Sequence, residues 1–206
     1  VIFTLHGWSF DRSVWNGTAF ENCVHLELPG HGESPFKSTD LLELSQEAAE
    51  ALPEGSTLVG WSLGATVSVL VGALYPKKIG KLILVAPTVR FSGISQPKTV
   101  VERFLKKLRR NFKKTVLEFR ALCSKEKYPL PQLKPEFTTE LLENFAKFDL
   151  SPYLSSIDVP VEIFVGQEDT ITGLKGALSV FNGLKSVRLN VYPGKDHLTV
   201  LHSLSA

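Results

Sequence analysis

Gly60-Trp61-Ser62-Leu63-Gly64 closes an apolar run, Thr57-Leu58-Val59, and opens a helical stretch, so it reads as G-x-S-x-G on a strand-to-helix turn. A serine at such an elbow is held near strained φ/ψ, and a glycine two residues to either side leaves room for neighbouring backbone. The hydroxyl is thereby presented outward. Two residues further along the chain lend the pentapeptide weight. Asp169 lies just past the strand-like run Val161 to Val165, and His197 lies just past another, Val187 to Tyr192. The chain order Ser, Asp, His differs from that of the two common serine protease families.

Working outward, short β-branched runs alternate with helical patterns, which predicts a parallel sheet with helices on its faces. The expected strands are Val1 to Leu5, Val24 to Leu28, Thr57 to Gly60, Leu82 to Val85, Val161 to Val165 and Val187 to Tyr192. Helices are expected over Leu41 to Leu52, over Ala65 to Tyr75 with Pro76 as the stop, and over Leu174 to Leu184. At 206 residues the chain suits one well-buried core. Its 43% hydrophobic and 21% charged content is that of an ordinary globular protein. No apolar stretch approaches the roughly 20 residues of a membrane helix, so no stable membrane insertion is expected.

Two cysteines, Cys23 and Cys123, are too few for a disulfide scaffold and lack C-x-x-C spacing, which suggests a reducing, cytoplasmic setting. Val1 to Leu5 reads as a buried strand and not as a signal peptide. The chain contains no methionine, the initiator included, and so reads as an incomplete gene product.

Between the fourth and fifth expected strands the alternation breaks for some 70 residues, Pro87 to Pro160. The chain thus divides into a first core part (1–86), a helical insertion (87–159) and a second core part (160–206), one catalytic domain overall. Within the insertion Val101, Phe104, Leu105, Leu108, Phe112, Val116 and Phe119 recur at helical spacing, with basic residues between them. From Lys98 to Lys127 there are 11 Lys and Arg against 3 Glu, although the whole chain carries only +2. The insertion is therefore read as an amphipathic basic helix or helix pair. Pro129, Pro131 and Pro135 interrupt it, and a further helix is expected over Thr138 to Phe148.

A neutral serine hydroxyl is a poor nucleophile and needs a base, which in turn needs a third group to hold its tautomer. His197 is the one histidine that follows the last strand, and Gly194-Lys195-Asp196-His197 reads as a loop. Asp169 just past its strand is the expected acid, with Glu168 its main rival. The oxyanion needs two N–H donors. One falls to Leu63, after the nucleophile, and the second to Trp8 in the turn His6-Gly7-Trp8. The indoles of Trp8 and Trp61 are expected to line an acyl pocket. No motif supports nucleotide, nucleic-acid or metal binding, and no cofactor is expected.

His6-Gly7-Trp8, Leu28-Pro29-Gly30-His31-Gly32-Glu33-Ser34, the elbow, Asp169 and His197 together resemble the α/β-hydrolase superfamily. Its fold is a mostly parallel sheet flanked by helices, here with a helical lid between the fourth and fifth strands. Within it the chain is most similar to the BioH family, biotin-pathway esterases that demethylate pimeloyl-acyl-carrier-protein methyl ester. Phe112-Lys113-Lys114-Thr115-Val116-Leu117-Glu118-Phe119-Arg120-Ala121-Leu122 resembles the lid helix of that family.

The resemblance implies a monomeric serine esterase whose basic lid holds an acidic acyl carrier protein, with Lys114 at the position of a carrier-contacting arginine. Arg109, Arg110, Lys113 and Arg120 could supply further charge. Phe119, Leu122 and Cys123 would line the substrate tunnel. Glu118 and Cys123 depart from the family pattern, and the first strands usual in the family are absent. Two other readings stand beside this one: a broad small-ester esterase or thioesterase with a merely solvated basic lid, and a non-catalytic or membrane-surface binding module.

Overall fold

The structure is a computed structural model and describes residues 1–204. Six strands, β1 (Ile2–Leu5), β2 (Val24–Leu26), β3 (Ser56–Trp61), β4 (Ile79–Val85), β5 (Val161–Gly166) and β6 (Val187–Tyr192), form one sheet in the order β2-β1-β3-β4-β5-β6. Every neighbouring pair is parallel. The strand order reverses beside β1 and β3, and the crevice at the carboxyl ends of such strands is where ligands bind in open α/β sheets.

Alternation along the strands divides two apolar layers. Leu58, Leu82, Leu84, Ile163 and Val165 enter one, against helices α1 (Leu41–Glu50), α2 (Leu63–Leu74) and α7 (Gly173–Phe181). Val59, Trp61, Ile83, Val85 and Phe164 enter the other, beneath Trp15, Phe20, Val200 and Leu201. Burying both faces explains why these strands read as continuous apolar runs. Asp40 starts α1 by accepting the Leu42 and Glu43 N–H groups, each at 3.0 Å.

Four helices lie between β4 and β5: α3 (Lys98–Arg110), α4 (Phe112–Cys123), α5 (Pro135–Lys147) and α6 (Ser151–Leu154). The expected basic helix is a pair, broken at Asn111, whose φ of −147° and ψ of 81° cannot continue a helix. The helix expected from Thr138 starts a turn earlier, because Pro135 occupies its first turn, where the missing N–H costs nothing. The four-residue α6 had no periodic signal to find. Among the described residues no helix is long and apolar enough to cross a membrane.

Candidate active site

The elbow is built by close approach. A Cβ on Gly64 would sit 2.2 Å from Leu5 O, and one on Gly60 would sit 2.4 Å from both Gly64 O and Ser68 Oγ. Only hydrogen fits at either position. Ser62 between them has φ 56° and ψ −115°, and its N–H donates to Val85 O at 2.8 Å. Two more non-glycine residues with positive φ, Ser9 (67°) and Ala86 (50°), lie on turns that follow β1 and β4. Strained backbone of this kind clusters at functional sites.

His197 and Asp169 are brought together. His197 Nδ1–H donates to Asp169 Oδ2 at 2.8 Å, with both side chains buried, which leaves Nε2 as an acceptor. Asp169 Oδ1 accepts Ile171 N–H at 2.8 Å and Thr172 N–H at 3.2 Å. Burial alone would raise the Asp169 pKa, but the His197 charge and these hydrogen bonds outweigh it and hold the carboxyl below its usual range. Glu168 is exposed, and only its backbone takes part: its N–H donates to Lys195 O at 2.8 Å and joins the loops that carry Asp169 and His197. Ser62 Oγ forms no hydrogen bond to His197 or to any other group among the described residues, so the bond seen in this trio is the one between His197 and Asp169.

Thr172 escaped the sequence reading. Its buried hydroxyl lies 3.0 Å from Ala86 O, 3.1 Å from Asp169 Oδ2 and 3.4 Å from His197 Nδ1. A hydroxyl three residues past an acid, where the acid closes a turn on its own backbone, was the available signal.

The two oxyanion candidates are placed differently. Leu63 is the first residue of α2, where an N–H has no intrahelical partner and the helix dipole favours negative charge. Trp8 lies in the turn after β1. The carbonyl of its Gly7–Trp8 peptide accepts His6 Nδ1–H at 2.7 Å and Phe10 N–H at 3.3 Å, so the N–H of that trans peptide points the other way. The Trp8 indole is buried, and its Nε1–H donates to Thr138 O in α5 at 2.8 Å.

An apolar cleft of about 280 Å³, lined by Phe91, Val101, Phe104, Phe119, Leu122 and Ile171, runs between lid and core. Phe104 and Phe119 meet the Trp8 ring edge-on at 6.1 and 5.1 Å between centroids, so one end of the cleft abuts the turn after β1. Ile171 brings it to the loop that carries Asp169.

Three expected site residues lie elsewhere. Trp61 is fully buried in the layer opposite α2, because it shares strand parity with Val59; its ring lies 5.3 Å from that of His197 and its Nε1–H donates to His197 O at 2.8 Å. It supports the loop that carries His197 and does not wall the cleft. Cys123 is likewise enclosed in that layer, and burial raises its thiol pKa well above the ordinary value. Arg120 is buried as well, on the apolar face of α4 with Val116 and Cys123, and does not present charge to a partner. Arg110, Lys113 and Lys114 are exposed, as is Arg109, which pairs with Glu143.

Two buried histidines hold the turn after β1. His6 Nδ1–H donates to Gly7 O while Nε2 accepts Leu28 N–H at 3.1 Å; His31 Nδ1–H donates to Pro29 O at 2.9 Å while Nε2 accepts Ser9 N–H at 2.8 Å. Both must be neutral, since a proton on either Nε2 would face an N–H donor. Burial first, then for His31 the field of His6, lowers their pKa values from 6.5 to about 4 and about 3. The unfolded chain therefore binds more protons than the folded one between those values and 6.5. Stability contributed by the neutral pair is complete above pH 6.5 and is lost as pH falls toward 4, by about 1.4 kcal/mol per pH unit for each histidine. The urea midpoint is expected to drop clearly between pH 7.5 and 5, and His31→Gln to flatten that slope. Equal midpoints at the two pH values would refute it.

This sheet order, the nucleophile-like elbow after β3 and the acid and histidine after β5 and β6 define an α/β hydrolase, and the chain belongs to the alpha/beta hydrolase family, whose model matches residues 2–204. Among curated relatives it is similar to the pimeloyl-[acyl-carrier protein] methyl ester esterase of Pseudoalteromonas atlantica, 28% identical over 94% of this chain and 85% of that protein. The protein of the same name from Vibrio parahaemolyticus is 29% identical with the same coverage. Among solved structures, an esterase from Exiguobacterium antarcticum superposes with a TM-score of 0.84 at 17% identity, covering 98% of this chain and 86% of that one, a likeness of fold.

Proposed function

We propose that this chain is a serine carboxylic-ester hydrolase acting through an acyl-enzyme, with the methyl ester of pimeloyl-acyl carrier protein as substrate. The observation that carries the chemistry is the His197 Nδ1 to Asp169 Oδ2 hydrogen bond, which sets the tautomer needed to take a proton from Ser62. The substrate reading is supported by the curated relatives of that name, which match 94% of the chain.

In this mechanism Ser62 Oγ attacks the ester carbonyl carbon as His197 Nε2 takes its proton. The carbonyl oxygen becomes an oxyanion held by the Leu63 and Trp8 N–H groups. Collapse expels methanol, which leaves with the proton from His197, and the acyl group stays on Ser62. A water, deprotonated by His197, then attacks the acyl-enzyme and restores serine and a free carboxylate. Asp169 remains ionised and orients the imidazole throughout. The apolar cleft takes the acyl chain's methylenes.

A carrier protein is acidic, and the exposed Arg110, Lys113 and Lys114 on α3 and α4 present the charge to meet it. Complementary charge chiefly raises encounter rates. Reversing these three residues to Glu is expected to lower kcat/KM on the carrier-bound ester by at least tenfold and to leave free p-nitrophenyl butyrate unchanged. Raising salt from about 50 to 500 mM should do the same, since the Debye length is roughly 10 Å at 0.1 M. The ion pairs Lys107–Glu118 and Arg109–Glu143 already neutralise part of this surface and favour the alternative of a broad esterase without a carrier partner. Equal responses of both substrates to charge reversal and salt would select that alternative.

A further inference from the structure

We propose that Arg120, on the lid, is a positioning residue for the oxyanion turn of the core, aligning the Trp8 N–H through the Ser9–Phe10 peptide. This rests on the serine-hydrolase reading above.

Arg120 Nη1–H donates to Ser9 O, and Nη2 donates to Tyr128 O at 3.0 Å and Pro129 O at 3.2 Å. The guanidinium carbon lies 4.0 Å above the centre of the Phe10 ring. Among the described residues Arg120 forms no ion pair, so a buried charge is spent entirely on three carbonyls and one aromatic face. An arginine so placed acts as a rigid fork that fixes the atoms it touches.

The peptide planes determine what it fixes. Ser9 O and Phe10 N–H belong to one peptide. Arg120 holds its oxygen, and its N–H donates to Gly7 O at 3.3 Å. Gly7 O in turn belongs to the peptide that carries the Trp8 N–H. Two linked planes therefore run from the lid guanidinium to the oxyanion donor. The link is needed because Ser9 is held at φ 67°, a conformation a free serine leaves readily. Ser9 N–H on His31 Nε2 at 2.8 Å steadies the turn from the other side. Displacement of α4 would thus be felt at the oxyanion as well as in the cleft.

The test uses the whole chain with Arg120→Met and Arg120→Lys, assayed on p-nitrophenyl acetate, a substrate too small to need the lid, with phenylboronic acid as the tetrahedral probe. An oxyanion donor is worth about 100- to 1000-fold in kcat. Arg120→Met is expected to lower kcat by at least tenfold with KM changed less than threefold, and to raise the boronate inhibition constant by the same factor as kcat/KM falls. Arg120→Lys, which keeps the charge but loses the planar fork, should fall between. A loss seen only in KM, unchanged boronate affinity, or unchanged kcat overturns the proposal. Where Arg120→Met fails to fold, Arg120→Lys at native melting temperature decides by the same criteria. A wild-type chain without ester hydrolysis overturns the serine-hydrolase reading and this proposal with it; an active wild type with indifferent variants overturns this proposal alone.

Discussion

Ser62→Ala is expected to lower kcat on p-nitrophenyl butyrate by about a millionfold, the scale on which a serine hydrolase loses its nucleophile. No neighbouring group replaces it: Cys123 is enclosed and kept neutral, and Ser9 and Ser68 are buried, Ser68 with its hydroxyl on Gly64 O at 2.7 Å. The same variant should keep its melting temperature. Ser62 Oγ has no internal hydrogen-bond partner among the described residues, so alanine leaves no buried group unsatisfied.

Ser62→Gly sharpens the test. A non-glycine residue at φ 56° stores strain, and glycine releases it at some cost in chain entropy. A net gain of about 1 kcal/mol would raise the melting temperature of a chain this size by roughly 2–4 °C, in a protein just as inactive. A tenth of the native rate in Ser62→Ala would remove Ser62 from the mechanism. A lower melting temperature in Ser62→Gly would mean that the elbow stores no strain.

The central strands were legible because a parallel sheet covered on both faces makes a strand a plain apolar run, as in Leu82 to Val85, whereas the edge strand β6 alternates apolar residues with Arg188 and Asn190. The same property hid the fate of Trp61: where both faces are apolar, sequence does not say which layer a strand residue joins, and only parity with Val59 does. Arg120 was misread because charge was taken as a sign of exposure. Its spacing, four after Val116 and three before Cys123, puts it on the buried face of α4, where a long side chain can reach carbonyls on another segment. Two of those carbonyls, Tyr128 O and Pro129 O, are near in sequence, but Ser9 O lies on the turn after β1, more than a hundred residues away, and no local pattern carries that. Gly60 and Gly64 show the converse. Gly60 is required by 2.4 Å approaches within one strand-turn-helix unit and Gly64 by a 2.2 Å approach to Leu5 O on the adjacent β1, yet both fall inside one pentapeptide pattern, which was enough to reveal them.

Asp169→Asn is expected to lower kcat by roughly ten-thousandfold, and Glu168→Gln to stay within a factor of two or three. The asymmetry comes from how the carboxylate is held. Oδ1 accepts two backbone N–H groups, from Ile171 and Thr172, so an asparagine must keep its carbonyl oxygen at that position. Its amide then falls where Oδ2 faces His197 Nδ1, and two donors would meet. The imidazole escapes by moving its proton to Nε2, and in that tautomer it cannot accept the Ser62 proton. Geometry and fold survive while the base is switched off, so KM and the melting temperature should change little. Glu168 differs because its side chain is exposed and its structural contact, N–H to Lys195 O, is backbone and unaffected by the substitution. A larger loss for Glu168→Gln than for Asp169→Asn would move the acid by one residue, and comparable small losses in both would mean that His197 is oriented by Thr172 or Trp61 alone.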